Sequence, residues 1–391
     1  MRIAIVYDCL FPNTVGGAER WYRNLAERLD GEHRVVYLTR RQWGEEGPGT
    51  SFATIAVSPG GGLYTASGRR RIWPPMRFGI GVLWHVLRHG RRYDAIHMAS
   101  FPYFSLLGAA LALRLNRSRA RLIVDWHEIW SLEYWQSYLG RVGGRIAYWI
   151  QALCLRLPDR SFTFSRLAEA RARELGHRAP IQRLTGEFAE DEEERRLLLE
   201  SGGPSSGSPM VLAAGRQIPE KRVPSIPGAI AEAARELPQL RCIILGDGPE
   251  AEATRRAVRD LGLEERIELP GRVDHATVMR TIAQAACLVH PSRREGYGLT
   301  VVEAASLGTP AVLVSGPDNA ATELVEEGVN GFVVTDPSPE SLGRGIAAAV
   351  RGGEALREST LDWYERHRDE LSIDSSLAAV QASYEGQGAA G

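Results

Sequence analysis

The sequence predicts an α/β fold built from two doubly wound parallel sheets, and three observations predict it. Short apolar, β-branched runs alternate with amphipathic helical stretches along 391 residues. One polar break, Glu190 to Pro209, interrupts the series with an acidic run and a Ser/Gly/Pro-rich stretch. The length exceeds what one ordinary core holds and suits two domains of similar size.

In the first half the strands are predicted at Arg2–Val6, Arg34–Leu38, Phe52–Val57, Asp94–Met98, Arg121–Trp126 and Arg160–Phe164. In the second half they are predicted at Met210–Ala214, Arg241–Leu245, Arg266–Leu269, Ala286–His290, Pro310–Val314 and Gly331–Val334. Continuous apolar runs of this kind mark strands covered on both faces. Helices lie between most of them; Ala18 to Leu29 places Ala18, Tyr22, Leu25, Ala26 and Leu29 on one face. The domains are therefore read as 1–189 and 210–361, with 190–209 as linker. In open parallel sheets ligands bind at the carboxyl ends of the strands, and two such domains would face each other across a cleft.

Composition bounds the function. Hydrophobic residues are 44% and charged residues 24%, which suits a folded chain, with the Gly/Ala-rich tail Gly386 to Gly391 read as disordered. Residues 1–189 hold 27 Arg against 15 Asp and Glu, and the remainder holds 20 Lys or Arg against 33 acids. This split suits a first half that meets an anionic surface or ligand, and equally suits drift of surface charge. Cys9, Cys154, Cys242 and Cys287 form no C-x-x-C pair and read as buried thiols of a cytoplasmic protein. The N-terminal apolar strand is too short for a signal peptide. The longest apolar stretch, Phe101 to Leu113, is too short for a bilayer, which takes about 20 residues. The chain has 46 Arg and a single Lys, Lys221. A lysine kept against that bias suits a site needing a compact ammonium, or is a chance survivor.

The loops that follow strands carry the chemistry. Gly16 and Gly17 precede the first helix, where glycine lets a ligand approach and the helix end favours an anion, though such a pair is also an ordinary turn. His127 follows the strand Arg121–Trp126 and is as readily structural as catalytic. Gly215-Arg216 and Lys221-Arg222 follow Met210–Ala214; a guanidinium fork and an ammonium suit a diphosphate, while a charged loop can also be merely solvated. Gly271-Arg272-Val273 follows Arg266–Leu269 in a turn able to present backbone groups to a nucleobase. Glu295-Gly296-Tyr297-Gly298-Leu299-Thr300 follows Ala286–His290, and the helix it opens offers the N–H groups of Gly298, Leu299 and Thr300 to an anion. Glu303 lies about one turn inside that helix, where a carboxylate can accept two hydroxyls.

Together these pieces resemble the retaining glycosyltransferases of family 4, which have the GT-B fold of two Rossmann-like domains. The resemblance runs through nearly the whole chain. Gly16-Gly17-Ala-Glu19 is similar to the first-loop motif, Arg216 with Lys221 to the donor-phosphate pair, and Glu295 to Glu303 to the E-x7-E motif. It implies transfer of a hexose-type sugar from a nucleotide diphosphate sugar to a hydroxyl acceptor. Arg216 and Lys221 would neutralise the diphosphate, Glu295 would bind the sugar hydroxyls, and the amides of Gly298 to Thr300 the distal phosphate. Glu303 would hold the ribose, Arg272 and Val273 would border the base, and His127 would contact the sugar. Family members retain the anomeric configuration by a front-face route, which explains the want of a glycosidase-type carboxylate pair. No metal or other cofactor is expected, and the sequence has no D-x-D triplet. Two departures stand: Arg222 where the family often has glycine, and Glu128 where it often has Asp. By the same resemblance a C-terminal helix at about 362–385 packs back on the first domain.

The acceptor is a sugar, a lipid-linked molecule or a small molecule, with nucleic acid not expected. Arg69 to Arg92 mixes basic residues with Trp73, Phe78 and Trp84, which suits contact with anionic lipid on the inner face of a membrane, or a surface helix turned to the core. The Trp- and Tyr-rich stretch Trp126 to Trp149 reads as stacking platform or as core. Two rivals remain: a nucleotide-sugar 2-epimerase, and a non-catalytic nucleotide-sugar-binding protein.

Overall fold

The computed structural model describes residues 1–14, 16–62, 71–201, 203 and 208–384. Part of the predicted linker, Arg69 and Arg70 of the basic segment, residue 385 and the Gly386–Gly391 tail lie outside the described residues. The chain forms two compact units, Met1–Glu187 with Ile373–Gly391, and Phe188–Ser372.

Unit 1 runs β1 (Arg2–Val6), α1 (Gly17–Asp30), β2 (Arg34–Arg40), β3 (Ala53–Ser58), α2 (Trp73–His89), β4 (Ala95–Ala99), α3 (Tyr103–Leu115), β5 (Arg121–Trp126), α4 (Leu132–Cys154), β6 (Arg160–Thr163), α5 (Arg166–Glu174) and β7 (Ile181–Arg183). Its seven strands are parallel in the order β3-β2-β1-β4-β5-β6-β7. The central strands β1 and β4 are apolar because helices cover both faces; Ile3, Ala4, Ile5, Ala95 and Ile96 are fully buried.

Unit 2 runs α6 (Glu192–Glu200), β8 (Met210–Ala214), α7 (Ile226–Ala234), β9 (Arg241–Leu245), α8 (Ala251–Asp260), β10 (Ile267–Gly271), α9 (His275–Gln284), β11 (Cys287–His290), β12 (Arg294–Glu295), α10 (Leu299–Ser306), β13 (Ala311–Val314), β14 (Asp318–Asn319), β15 (Gly331–Val334) and α11 (Pro339–Leu371). Six strands form a parallel sheet in the order β10-β9-β8-β11-β13-β15, and β12 pairs with β14 beside it. The chain starts at the middle of this sheet, builds outward through β9 and β10, then returns to β11 on the other side of β8. That reversal makes β8 and β11 neighbours at the point where ligands of open α/β sheets bind.

The four cysteines are free and buried, and no described helix is long and apolar enough to cross a membrane.

The structure corrects the predicted boundaries in two places. The acidic run read as linker is the first turn of α6: Asp191 caps it by accepting a hydrogen bond from Glu194 N (2.9 Å), and Glu192, Glu193 and Glu194 sit where the helix dipole favours anions. Leu198 then buries against Met279 and Ile282. The C-terminal helix does not return from residue 362. Trp363 and Tyr364 are buried in unit 2, where Tyr364 donates to Glu190 (2.9 Å), and only α12 (Ile373–Tyr384) belongs to unit 1. Its anchor is Tyr384, whose hydroxyl lies 2.7 Å from His97 Nδ1; His97 Nε2 lies 2.6 Å from Asp125 Oδ1, and Trp21 donates to the other Asp125 oxygen (2.9 Å).

Candidate functional site

The loops after β8 and β11 leave the sheet side by side at its reversal point. The first is stitched down by Gln217, buried to 2% exposure. Its side-chain amide donates to Gly246 O (3.0 Å) and its oxygen accepts from Thr254 (2.9 Å), while Gln217 N donates to Asp247 O (2.9 Å). Gly246 is obligatory there: φ is +113°, and a Cβ would stand 1.9 Å from Gly215 O. The turn Gly246-Asp247-Gly248 therefore braces the cation loop. Arg216 is exposed at the end of β8, and Lys221 closes a short 3-10 turn from Pro219. Arg222 follows in the left-handed region (φ 51°, ψ 32°). This explains the departure seen in the sequence: the position where the family often has glycine calls for a backbone that glycine adopts most easily.

Lys221 Nζ pairs with Glu295 Oε1, joining the two loops. His290, the last residue of β11, places Nε2 2.6 Å from the same oxygen, and Ser292 Oγ lies 3.1 Å from that nitrogen. Burial acts to raise the Glu295 carboxyl, but the Lys221 ammonium and then His290 outweigh it and hold it far below the ordinary carboxylate range. Glu295 is kept in place by β12, which pairs with β14. Asn319 of β14 donates to Ser292 O (3.1 Å) and Val314 O (2.9 Å), pinning the loop to the end of β13.

Three residues later Gly298 caps α10 in the left-handed region (φ 108°, ψ 47°) with no side-chain cap. A Cβ at Gly298 would meet Ala321 Cβ at 2.6 Å. The first-turn amides of Leu299 and Thr300 have no acceptor within their own helix. Tyr297, Gly298 and Glu303 are buried, and Gly296, Leu299 and Thr300 are half-buried. Arg272 is exposed and Val273 half-buried at the carboxyl end of β10, where Asp274 caps α9. Among the described residues no group of three or more His, Cys, Asp or Glu is arranged to hold a metal.

Unit 1 holds the remaining candidates. Gly16 caps α1 in extended backbone, and Gly17 begins it. His127 Nδ1 lies 3.1 Å from Glu187 Oε1, its ring stacks on Phe164 at 4.1 Å between centroids, and Tyr22 meets its face edge-on. Burial acts to lower the His127 pKa, but the Glu187 carboxylate prevails and the net shift is upward. A Cβ on Gly17 would lie 3.8 Å from Glu187, so Gly17 and His127 meet around one carboxylate.

Lys221, Glu295, Gly298 and Glu303 thus lie on the two loops and the helix at one strand reversal, while Gly16, Gly17 and His127 gather in unit 1. Sequence reading missed Gln217, His290, Asn319 and Glu187. His290 alone carried a signal, as a polar residue closing an otherwise apolar strand.

Residues 194–368 match the family model Glycosyl transferases group 1, and residues 15–184 match Glycosyltransferase Family 4. The crystal structure of Anabaena HepE in complex with UDP and glucose superposes with a TM-score of 0.73, covering 99% of this chain and 100% of that one at 19% identity, a likeness of fold. A GDP-mannose-dependent alpha-(1-6)-phosphatidylinositol monomannoside mannosyltransferase of Mycolicibacterium smegmatis is 30% identical over 291 residues, 67% of this chain and 72% of the relative. The chain belongs to the GT-B glycosyltransferases. Among these glycosyltransferases and their relatives the match is uneven in length. An exopolysaccharide phosphotransferase of Streptomyces coelicolor is 34% identical over 148 residues, but the chain spans 37% of itself and 15% of that relative in the match.

Proposed function

We propose that the protein is a retaining, metal-independent hexosyltransferase of family 4 that moves a sugar from a nucleotide diphosphate sugar to a hydroxyl acceptor. The observation that carries this reading is the contact of Lys221 with Glu295 at the strand reversal of unit 2, next to the uncapped start of α10. The donor diphosphate lies against Lys221 and Arg216, with its distal phosphate on the amides of Gly298 to Thr300. Glu303 accepts the ribose hydroxyls, Arg272 and Val273 border the base, and Glu295, already ionised, accepts hydroxyls of the sugar. Gly16 and Gly17 give the donor room at the start of α1, and His127 contacts the sugar.

The anomeric C–O bond to the diphosphate breaks as the acceptor oxygen bonds to the same carbon on the same face. The acceptor proton passes to the departing phosphate oxygen. The negative charge growing on the leaving group meets cations and amides fixed beforehand, so no metal is required. GDP-mannose in the name of the mannosyltransferase, and UDP with glucose in the Anabaena structure, support a nucleotide-sugar donor. The acceptor is a glycan, a lipid-linked molecule or a small molecule, and the setting is cytoplasmic.

Incubation with UDP- and GDP-sugars in EDTA, with and without candidate acceptors, tests the reading. Acceptor-dependent release of nucleotide diphosphate with α-linked product supports it. An isomerised sugar nucleotide formed without acceptor points to the epimerase instead.

A further inference from the structure

The outer faces of α2, α3 and α4 carry features that the transfer reaction leaves unused. These three helices cover one core cluster of unit 1, with Phe78 and Val82 of α2, Leu106 of α3 and Cys154 of α4 turned inward. Their outward residues are also apolar. On α2, Trp73, Ile80 and Trp84 are exposed, Trp84 to 53%. On α3, Leu111 and Leu115 are exposed. Gly140 (φ 76°) interrupts α4, and beyond it Val142, Ile146, Trp149 and Leu153 form a continuous outward stripe, with Val142 and Trp149 each 73% exposed. The spacing of four, three and four residues keeps them on one helix face.

Charge on these helices is mostly positive. The three helices carry five arginines, Arg77 and Arg88 on α2, Arg114 on α3, and Arg141 and Arg145 on α4, all of them exposed. Within α2, α3 and α4 the only acid is Glu133, while Arg141 and Arg145 are exposed beside the α4 stripe. Arg77 and Arg88 lie over the rings of Trp73 and Trp84, at 5.3 and 5.0 Å from the ring centroids.

We infer that this three-helix face docks on a lipid bilayer rich in anionic headgroups, with the aliphatic and tryptophan side chains entering the interface and the arginines meeting the phosphates. Indole rings and long arginine stems are the side chains that settle at such a boundary. A second copy of the chain is the poorer occupant. A two-fold contact would set this face against itself, arginine against arginine, with only Glu133 to offset them. Nucleic acid is also the poorer occupant, because Val142, Ile146, Leu153, Leu111 and Leu115 would be left as exposed aliphatic surface against a charged backbone. The inference rests on the proposed function only for which leaflet is met; the docking itself needs neither donor nor transfer.

Sedimentation of the full chain with vesicles tests it. Vesicles of mixed phosphatidylglycerol and phosphatidylcholine should carry the protein down, and pure phosphatidylcholine should leave it in solution. High salt should weaken binding about tenfold. Trp84→Ser with Trp149→Ser should lower partitioning by about tenfold or more. Arg77→Gln and Arg88→Gln should each lower it about fivefold on the anionic vesicles alone. All four side chains are exposed, so unchanged melting of the variants certifies the fold. No binding to anionic vesicles, equal binding to both vesicle types, a concentration-dependent dimer dissolved by Trp149→Ser, or an oligonucleotide complex lost with Arg77→Gln would each overturn the inference.

Discussion

The Lys221 ammonium pairs with the Glu295 carboxylate, 74 residues further along the chain. The two residues stand on the loops that leave β8 and β11, so the pair closes the crevice at the one place where the order of unit 2's sheet reverses. In the proposed reaction the ammonium also faces the donor diphosphate, and the carboxylate faces the sugar. Lys221→Ala and Glu295→Ala are each expected to lower transfer by about two to three orders of magnitude. Circular dichroism of both variants should show both sheets intact. Turnover near the wild-type rate in either variant contradicts the assignment.

Acid should act on this pair in a defined window. The folded-state pKa of Glu295 is depressed, so its contribution to stability is complete above the ordinary value of 4.5 and is lost as pH falls through the folded value. Glu295→Gln removes the contribution at every pH. Melting of wild type and variant from about pH 6 to about pH 3 should show a constant gap above pH 4.5 that narrows below it. A gap that widens on acidification contradicts the sign.

His127 should behave in the opposite sense. Its folded pKa is raised, so its contribution is full below the ordinary 6.5 and is lost as pH rises through the folded value. Glu187→Gln removes the carboxylate that contributes most against burial, leaving only Asp125 and Glu19 to oppose it. The NMR titration midpoint of His127 should then fall from its wild-type position. A midpoint unchanged by the substitution shows that Glu187 does not set it.

Gly298→Ala tests the start of α10. The left-handed backbone costs a side chain about 1–2 kcal/mol, and the added methyl would collide with Ala321. Equilibrium denaturation should show at least that loss, and nucleotide affinity should fall with it because the amides of Leu299 and Thr300 move. Unchanged stability would mean that the loop relaxes freely around the methyl group.

Much of this fold was legible because buried parallel strands write themselves as apolar runs. β1, β5, β8, β9 and β15 begin and end where the sequence places them. β7 was not seen, because Ile-Gln-Arg at a sheet edge is neither apolar nor alternating. β12 and β14, two residues each, carry no period at all. The acidic start of α6 was misread because a capped first turn and a solvated tail share a composition. The long aromatic stretch divided as only packing could decide: Trp126 and Trp135 are core, while Trp149 is outside. The charged and glycine residues of the candidate site were visible because they follow strand ends. Two of their supports, Gln217 and Asn319, act through hydrogen bonds to loops distant in sequence, which no local pattern announces, while His290 reaches Glu295 within its own loop and shows only as a polar residue closing an apolar strand.

The most direct measurement is calorimetric titration of UDP and GDP into the wild-type protein and Lys221→Ala, in EDTA. The proposed site predicts that at least one nucleotide binds the wild type without metal, and that Lys221→Ala weakens it by about tenfold or more, the loss of one charge-assisted contact of about 1.5–3 kcal/mol. Wild-type protein that binds neither nucleotide, or a variant that binds as tightly as wild type, would contradict it.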